Sequence, residues 1–354
     1  MTTTPTRDSA DRPTRAAAVL AAVLATVLLD AACGSAGSGD ALDDASPAAG
    51  EDAGLSVVAL NLDYAYYNPA SLVLREQGWL EAAAGDDVEV TWTLSQGSNK
   101  ANEALRGGAI DVASTAGSAA LVARANGGPN VIVEVLGLPE WSAIVVPAGS
   151  DIEGPEDLAG ATVAATTGTD PYFFLLQTLA EADLSLDDVE VVNLQHADGR
   201  TALVRGDVDA WAGLDPIMAD AELTDGFELA VRAPGRNTFS VLNVREDWLV
   251  EHPDAVVLVL EQYERAREWI AENPDETAQL LARESGVDLE VAEKVLTERT
   301  DLAVDSVPGD AQREVLERVI PIVVAEDQVP DEATVTEALD TLFAPEPITA
   351  VTSR

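Results

Sequence analysis

Cysteine, histidine and lysine are nearly absent from this chain of 354 residues, and each scarcity removes a class of function. A single cysteine, Cys33, cannot close an intrachain disulfide, and with only His196 and His252 beside it no cluster of zinc-type ligands can be assembled. Only two lysines, Lys100 and Lys294, contribute to the 20 basic residues that stand against 63 acidic ones. The formal net charge of −43 makes nucleic acid and anionic membrane surfaces poor partners for the folded part. Neither a G-x-S-x-G elbow nor a phosphate-loop Gly-Lys-Ser/Thr pattern occurs. Long hydrophobic runs are missing too: the apolar stretch "AAAVLAAVLATVLL" falls short of the ~20 residues a membrane span needs.

That stretch has another use. Arg7, Arg12 and Arg15 precede it, and Ala31-Ala32 lead from it into Cys33-Gly34, so residues 1–33 read as a targeting segment. The arrangement resembles a bacterial lipoprotein signal, in which Cys33 becomes the lipidated first residue. Asp30 stands where that pattern usually carries an apolar side chain, and an ordinary secretory signal is the alternative. Both readings export the protein. Residues 34–54, "GSAGSGDALDDASPAAGEDAG", are small, acidic and without period, which predicts a disordered tether.

From Leu55 short apolar strands alternate with helical segments: "LSVVALNL", a helix over 70–80, "DVEVTWTL", a helix from Asn99, and "AIDVAST". This alternation predicts an α/β chain with a mostly parallel sheet to about residue 245. A weak internal repeat is superimposed on it. "DDVEV" at 86–90 recurs at 187–191, and "ALRGGAIDVA" at 104–113 is echoed by "ALVRGDVDAW" at 202–211. Each copy of the longer motif reads as a helix stopped by a left-handed glycine and followed by a strand, so the chain should fold as two similar α/β lobes. Beyond Phe239 amphipathic segments take over, led by 254–273 with Val257, Leu260, Tyr263, Arg267 and Ile270 on one stripe. They predict a helical C-terminal portion on the outside of the first lobe.

Ligands of such sheets bind at loops beyond the carboxyl ends of the strands. The candidates are "LSQGSN" with Gln96 and Gly97, "STAGS" with Ser114 and Thr115, "TTGTD" with Thr167, Gly168 and Thr169, and "WAGLD" with Trp211 and Asp215. Small polar residues opening a helix leave free backbone N–H groups at the positive end of the helix dipole, a seat for an anion that needs no basic side chain. An ordinary helix cap is the alternative reading of each Ser or Thr. Tyr64, Tyr66, Tyr67 and Asn68 in "DYAYYNP", and Trp141, are candidate walls of the cleft. For Trp211 a core position is the alternative, and for Asp215, before Pro216, a turn. Asp170 at the helix start would compete with an anion, or face a cationic end of a zwitterion.

The segments "GAIDVASTAGSAALVARA", "GPEDLAGATVAATTGTDPYFFLLQTLAEADL", "DVDAWAGLDP" and "REDWLVEHPDAVVLVLEQY" resemble the solute-binding lipoproteins of ABC importers, in the branch that binds aliphatic sulfonates, taurine, nitrate and thiamine precursors. Sulfonate-binding members are the most similar. The resemblance implies a two-lobed, type II periplasmic-binding-protein-like fold with two crossing strands. It places lobe one at 55–146 plus 238–343, lobe two at 147–237 and a tail at 344–354. It further implies no enzymatic activity and no cofactor. The expected partners are a small anionic or zwitterionic sulfonate bound by a monomer outside the cell, an ABC permease, and a membrane reached only through the lipid on Cys33. Thr167, Gly168 and Thr169 match the family's anion turn.

Overall fold

The computed structural model describes Leu55, Val57 and residues 59–354; the targeting segment, the tether and Cys33 lie outside the described residues. The strands are β1 (Ala59–Tyr64), β2 (Glu89–Leu94), β3 (Val112–Ala116), β4 (Asn130–Pro139), β5 (Ser142–Val146), β6 (Thr162–Ala165), β7 (Glu190–Asn193), β8 (Ala210–Leu214), β9 (Glu228–Val231), β10 (Ser240–Arg245) and β11 (Thr300–Asp301). They form two sheets, ordered β11-β4-β10-β3-β1-β2 and β7-β6-β8-β5-β9. Around them run α1 (Pro69–Gln77), α2 (Trp79–Ala84), α3 (Ser98–Arg106), α4 (Gly117–Ala125), α5 (Asp170–Glu181), α6 (His196–Arg205) and α7 (Ile217–Asp220). The C-terminal portion adds α8 (Glu246–Glu251), α9 (Pro253–Glu272), α10 (Pro274–Ser285), α11 (Leu289–Glu298), α12 (Asp310–Ala325), α13 (Glu332–Asp340) and α14 (Glu346–Thr352).

The internal repeat corresponds to a structural one. In the first sheet the order β2-β1-β3-β10-β4 matches β7-β6-β8-β5-β9 in the second, strand for strand. The echoed segments are α3 into β3 and α6 into β8, with Gly108 at φ 67° and Gly206 at φ 71° turning the chain in the left-handed region that glycine tolerates. In each sheet the fourth strand arrives from the other half of the chain and runs antiparallel to its neighbours: β10 beside β3 and β4, β5 beside β8 and β9. The sheets are therefore mixed rather than mostly parallel. Only β1, β2 and β3, and β6, β7 and β8, form parallel groups.

The first crossing falls earlier than the boundary expected from the resemblance. Ser142–Val146 pairs with β8 and β9 and so belongs to the second sheet, which puts the first crossing between Pro139 and Ser142 instead of at residue 146. The second crossing runs from Val231 to Ser240. The helix expected over 70–80 is two helices, parted at Gly78, the C-cap of α1. The C-terminal portion reaches beyond the first lobe: Leu316, Val319 and Val323 of α12 share one apolar cluster with Leu121 of α4 and with Phe174 and Leu175 of α5. Residues 346–352 are a helix rather than a tail, anchored by the fully buried Ile348 against the cluster that holds Leu260 and Tyr263 of α9.

Packing explains the shape of the centre. β3 and β8 are buried along their whole length because helices cover both faces, so neither shows strand alternation, whereas the edge strand β2 alternates along its length. Helix α5 carries Tyr172 to Leu176 as five consecutive buried apolar residues, the signature of a helix enclosed on all sides. Each fully buried Phe or Leu contributes ~1.5–3 kcal/mol. Its N-terminus is thus held firmly where the two lobes meet.

Candidate functional site

The loops after β2, β6 and β7 each open a helix, and the three helix starts converge. Gly97 is the N-cap of α3, Thr169 of α5 and Gln195 of α6. A Cβ on Gly97 would lie 2.9 Å from Asn99 Oδ1, 3.2 Å from His196 Nε2 and 3.3 Å from Thr169 Cγ2, so both lobes touch at that point. None of the three caps is closed by its own side chain. The backbone N–H groups of Ser98 and Asn99, of Gly168, Thr169 and Asp170, and of His196 and Ala197 find no acceptor among the described residues. Each such terminus carries about half a positive elementary charge. Three of them at one point favour an anion inside a chain of net charge −43.

Several residues read from sequence are engaged elsewhere. The Ser114 N–H and hydroxyl donate to Asp63 at 2.8 and 3.1 Å, and its carbonyl accepts from Tyr67 Oη at 3.2 Å. Thr115 accepts from Asn243 Nδ2 at 2.7 Å. The N-terminus of α4 is closed from within, because the Gly117 N–H donates to Phe239 O and the Ser118 N–H to the Thr238 hydroxyl. The "STAGS" loop is therefore no second set of free donors. The first four residues of "WAGLD" are not a loop but part of β8, with Asp215 just beyond it. Trp211 is fully buried with Nε1 unpartnered, and a Cβ on Gly199 would come within 2.8 Å of its ring, so the core alternative holds.

Asp215 is no cleft wall either. Both its oxygens lie 3.2 Å from Arg299 Nη1, and Oδ1 accepts from the Ala219 N–H at 2.9 Å. Burial raises its pKa to about 6 against the pull of Arg299. Arg299 also pairs with Glu222, and its carbonyl accepts from the Glu140 N–H, so the segment after α11 is fastened to the second lobe. Asn68 is buried as the cap of α1, accepting from the Ser71 N–H.

Asp170 borders the small space at the convergence, but its carboxylate is fully engaged. Its Oδ1 accepts from the hydroxyls of Ser118 at 2.5 Å and Thr238 at 2.7 Å, and its Oδ2 from Trp141 Nε1 at 2.7 Å and the Thr238 N–H at 2.9 Å. The carboxylate thus ties α5 to α4 and to both crossings. With four donors on its two oxygens, the carboxylate is satisfied without a ligand. Trp141, expected as a wall, is 4% exposed and stands edge-on to Tyr67 with ring centroids 5.9 Å apart.

Three cavities border the convergence: the smallest, about 10 Å³, lies between Tyr67, Ser98, Trp141, Thr169, Asp170, Pro171 and Leu214, and a second, about 720 Å³, is lined by Asn99, Asn102, Glu103, Arg106 and Gly168. The third, about 730 Å³, is lined by Tyr66 and Gln96 from the first lobe and by His196 and further residues of α6 from the second. The residues with free backbone donors divide among the three: Ser98, Thr169 and Asp170 line the smallest, Asn99 and Gly168 the second, and His196 and Ala197 the third. Thr167 is exposed and Gly168 half-buried, with the Thr167 N–H donating to Asn193 Oδ1. The Thr169 hydroxyl donates to Thr166 O at 2.6 Å, leaving its backbone N–H for a ligand.

Sequence reasoning missed His196 as a cleft residue. It is 1% exposed, its Nδ1 lies 3.2 Å from the Thr166 hydroxyl, and burial lowers its pKa to about 3. The signal available was its place in the second copy of the repeat, where its helix start corresponds to the one at Gly97.

A family model described as NMT1/THI5 like matches residues 70–277. A protein named for the binding of aliphatic sulfonates in Bacillus subtilis (strain 168) is 26% identical over 232 residues, 64% of this chain and 69% of its own length. A protein of the same name in Escherichia coli (strain K12) is 33% identical over 156 residues, 44% of this chain and 49% of its own. Among solved structures, the alkanesulfonate-binding protein SsuA from Xanthomonas axonopodis pv. citri, bound to MOPS, superimposes with a TM-score of 0.72 at 24% identity, covering 80% of this chain and 98% of that one. The nitrate-binding protein NrtA from Synechocystis gives 0.71 at 14% identity, over 84% and 89%. The desulfurization enzyme DSZB gives 0.60 at 19%, over 84% and 99%. These likenesses establish the periplasmic-binding-protein-like α/β fold.

Proposed function

The chain belongs to the NMT1/THI5-like family, and from that premise we propose that it captures a small organosulfonate outside the cell and delivers it to an ABC importer. The observation that carries the reading is the convergence of three uncapped helix N-termini between the two lobes. The Thr167-Gly168-Thr169 turn and the start of α5 supply N–H donors to the sulfonate oxygens, Gly97 and the start of α3 close from the first lobe, and Tyr66 and Gln96 border the organic end. Contacts from both lobes to one solute drive closure. The names of the two curated relatives support sulfonate as the anion.

Export and anchoring belong to the same reading. Lipidation at Cys33 would tether a monomer to the outer face of the membrane through residues 34–54, and among the described residues no helix is long and apolar enough to cross a membrane. The solute leaves chemically unchanged. Enzymes share this fold, but His196, the histidine of this cleft, is neutral and has its Nδ1 engaged by Thr166.

A thermal-shift screen tests the proposal: the purified protein against taurine, ethane- to octanesulfonate, sulfate, nitrate and a thiamine pyrimidine. Ligand at 100 times its Kd adds ~2.7 kcal/mol, a rise of roughly 5 °C at this size. Shifts with sulfonates alone support the reading. Silence from every sulfonate, with a response to nitrate or the pyrimidine, keeps the fold and overturns the substrate.

A further inference from the structure

Asp63, near the end of β1, is fully buried, and among the described residues no basic side chain pairs with it. Its Oδ1 accepts from the Ser114 N–H at 2.8 Å and from the Ser114 hydroxyl at 3.1 Å, while that hydroxyl stands 3.3 Å from Oδ2. The Ser95 side chain adds a hydrogen bond from just beyond β2. One carboxyl group thus joins the ends of β1, β2 and β3, the strands whose following loops bring the first lobe to the site. Burial pushes it up from 3.8 to about 7 against the pull of these donors.

Two contacts carry this grip to the convergence. The Ser114 carbonyl accepts from Tyr67 Oη at 3.2 Å, and Tyr67 lines the smallest cavity there. Further along β3 the Ala116 N–H donates to Ser98 Oγ at 3.0 Å, and Ser98 opens α3 with its own backbone N–H free. The titratable groups that face Asp63 bring no positive charge: they are Tyr67 from the loop after β1 and Tyr263 from α9, which also lies in the field of Glu134 of β4. Arg267, 3.8 Å from Glu134, is paired with Glu264. A charged Asp63 therefore stands behind the anion seat with no cation in contact, and an anion entering the seat disfavours that charge further. The carboxyl can take a proton on Oδ2 and keep both Ser114 donors on Oδ1.

We propose that Asp63 is a positioning residue whose proton is linked to solute capture: in its neutral form it holds Ser114, and through it Tyr67 and the start of α3, at the anion seat, and each anion bound draws a proton from solvent onto its carboxyl. This rests on the organosulfonate reading above and makes capture strongest in mildly acidic surroundings. With the carboxyl titrating at about 7, the neutral form falls from about nine-tenths at pH 6 to about one-tenth at pH 8. Sulfonates stay ionised across that range, so the titrating group belongs to the protein.

The test is calorimetric titration of the purified protein with ethanesulfonate and octanesulfonate at pH 6, 7 and 8, in buffers of low and high ionisation enthalpy. The expected result is an affinity that falls about 5- to 10-fold from pH 6 to pH 8, with uptake of about half a proton per solute between pH 7 and 8. Asp63→Asn, which keeps an Oδ1 acceptor and cannot titrate, should bind with the wild-type pH 6 affinity throughout and take up no proton. Asp63→Ala, which strands the Ser114 N–H, should bind more weakly than Asp63→Asn at every pH. Wild-type affinity that is flat from pH 6 to pH 8, binding without proton uptake, or uptake undiminished in Asp63→Asn would each overturn the linkage and leave the sulfonate function intact. Equal affinities of the Asn and Ala variants would overturn the positioning role. No binding of either sulfonate at any pH would overturn the organosulfonate reading, and this role with it.

Discussion

Replacing Asp170 separates two kinds of hydrogen-bond loss within one side chain. In the wild type Oδ2 receives two donors fixed in place, Trp141 Nε1 and the Thr238 N–H, while Oδ1 receives two hydroxyls, those of Ser118 and Thr238, which can rotate. In Asp170→Asn the amide oxygen can take the fixed pair and the amide nitrogen can face the hydroxyls, which turn to accept. Only the charge assistance is lost, about 1 kcal/mol. In Asp170→Ala the fixed donors are stranded in a site 2% exposed, at ~1–3 kcal/mol each, so the loss is ~2–6 kcal/mol and the crossings lose their common anchor. Urea denaturation followed by tryptophan fluorescence should show Ala costing at least ~1 kcal/mol more than Asn. Equal losses for the two variants, or an Ala variant within ~1 kcal/mol of wild type, would refute the account of Asp170 as the tie between α5, α4 and both crossings.

Acidity should stabilise this protein between pH 8 and pH 5. Asp63 is raised from 3.8 to about 7 and Asp215 to about 6, mainly by burial, so each contributes stability that is fully present below the unfolded value and lost as pH rises through the folded one. For Asp63 alone the window is worth up to ~2–3 kcal/mol, and Asp63→Asn should flatten the curve of melting temperature against pH. Gly97→Ala puts a methyl 2.9 Å from Asn99 Oδ1 at a backbone φ of 157°, and should weaken sulfonate binding at least ~10-fold by titration while costing ~1–3 kcal/mol of stability. Trp211→Phe removes an unpartnered buried N–H along with some packing. Its stability should fall by no more than ~2 kcal/mol and its sulfonate affinity should not change; a large loss of affinity would return Trp211 to the cleft.

The repeat was legible because it is local. "ALRGGAIDVA" and "ALVRGDVDAW" each contain a whole helix end, glycine turn and strand start, so reading them needed no knowledge of what lies across the fold. The same holds for "TTGTD", whose small polar residues and Asp-Pro opening announce a helix N-terminus. The antiparallel strand within each sheet was not legible, since β5 and β10 carry the same apolar pattern as the parallel strands beside them. Nor was the division of labour among polar residues. Ser114 is claimed by Asp63, 51 residues away, Asp215 by Arg299, 84 away, and Asp170 by Trp141, Ser118 and Thr238, at separations of 29, 52 and 68.

By itself, then, the sequence determined what depends on neighbours in the chain: two similar α/β halves and helix starts without basic residues. Only the tertiary structure decided which helix starts stay open. Crossing residues Thr238 and Phe239 close α4, while the starts of α3, α5 and α6 meet with their donors free. The physical reason is that a donor or acceptor is available to a ligand only if no other part of the chain reaches it first, and that is settled by contacts between segments far apart in sequence.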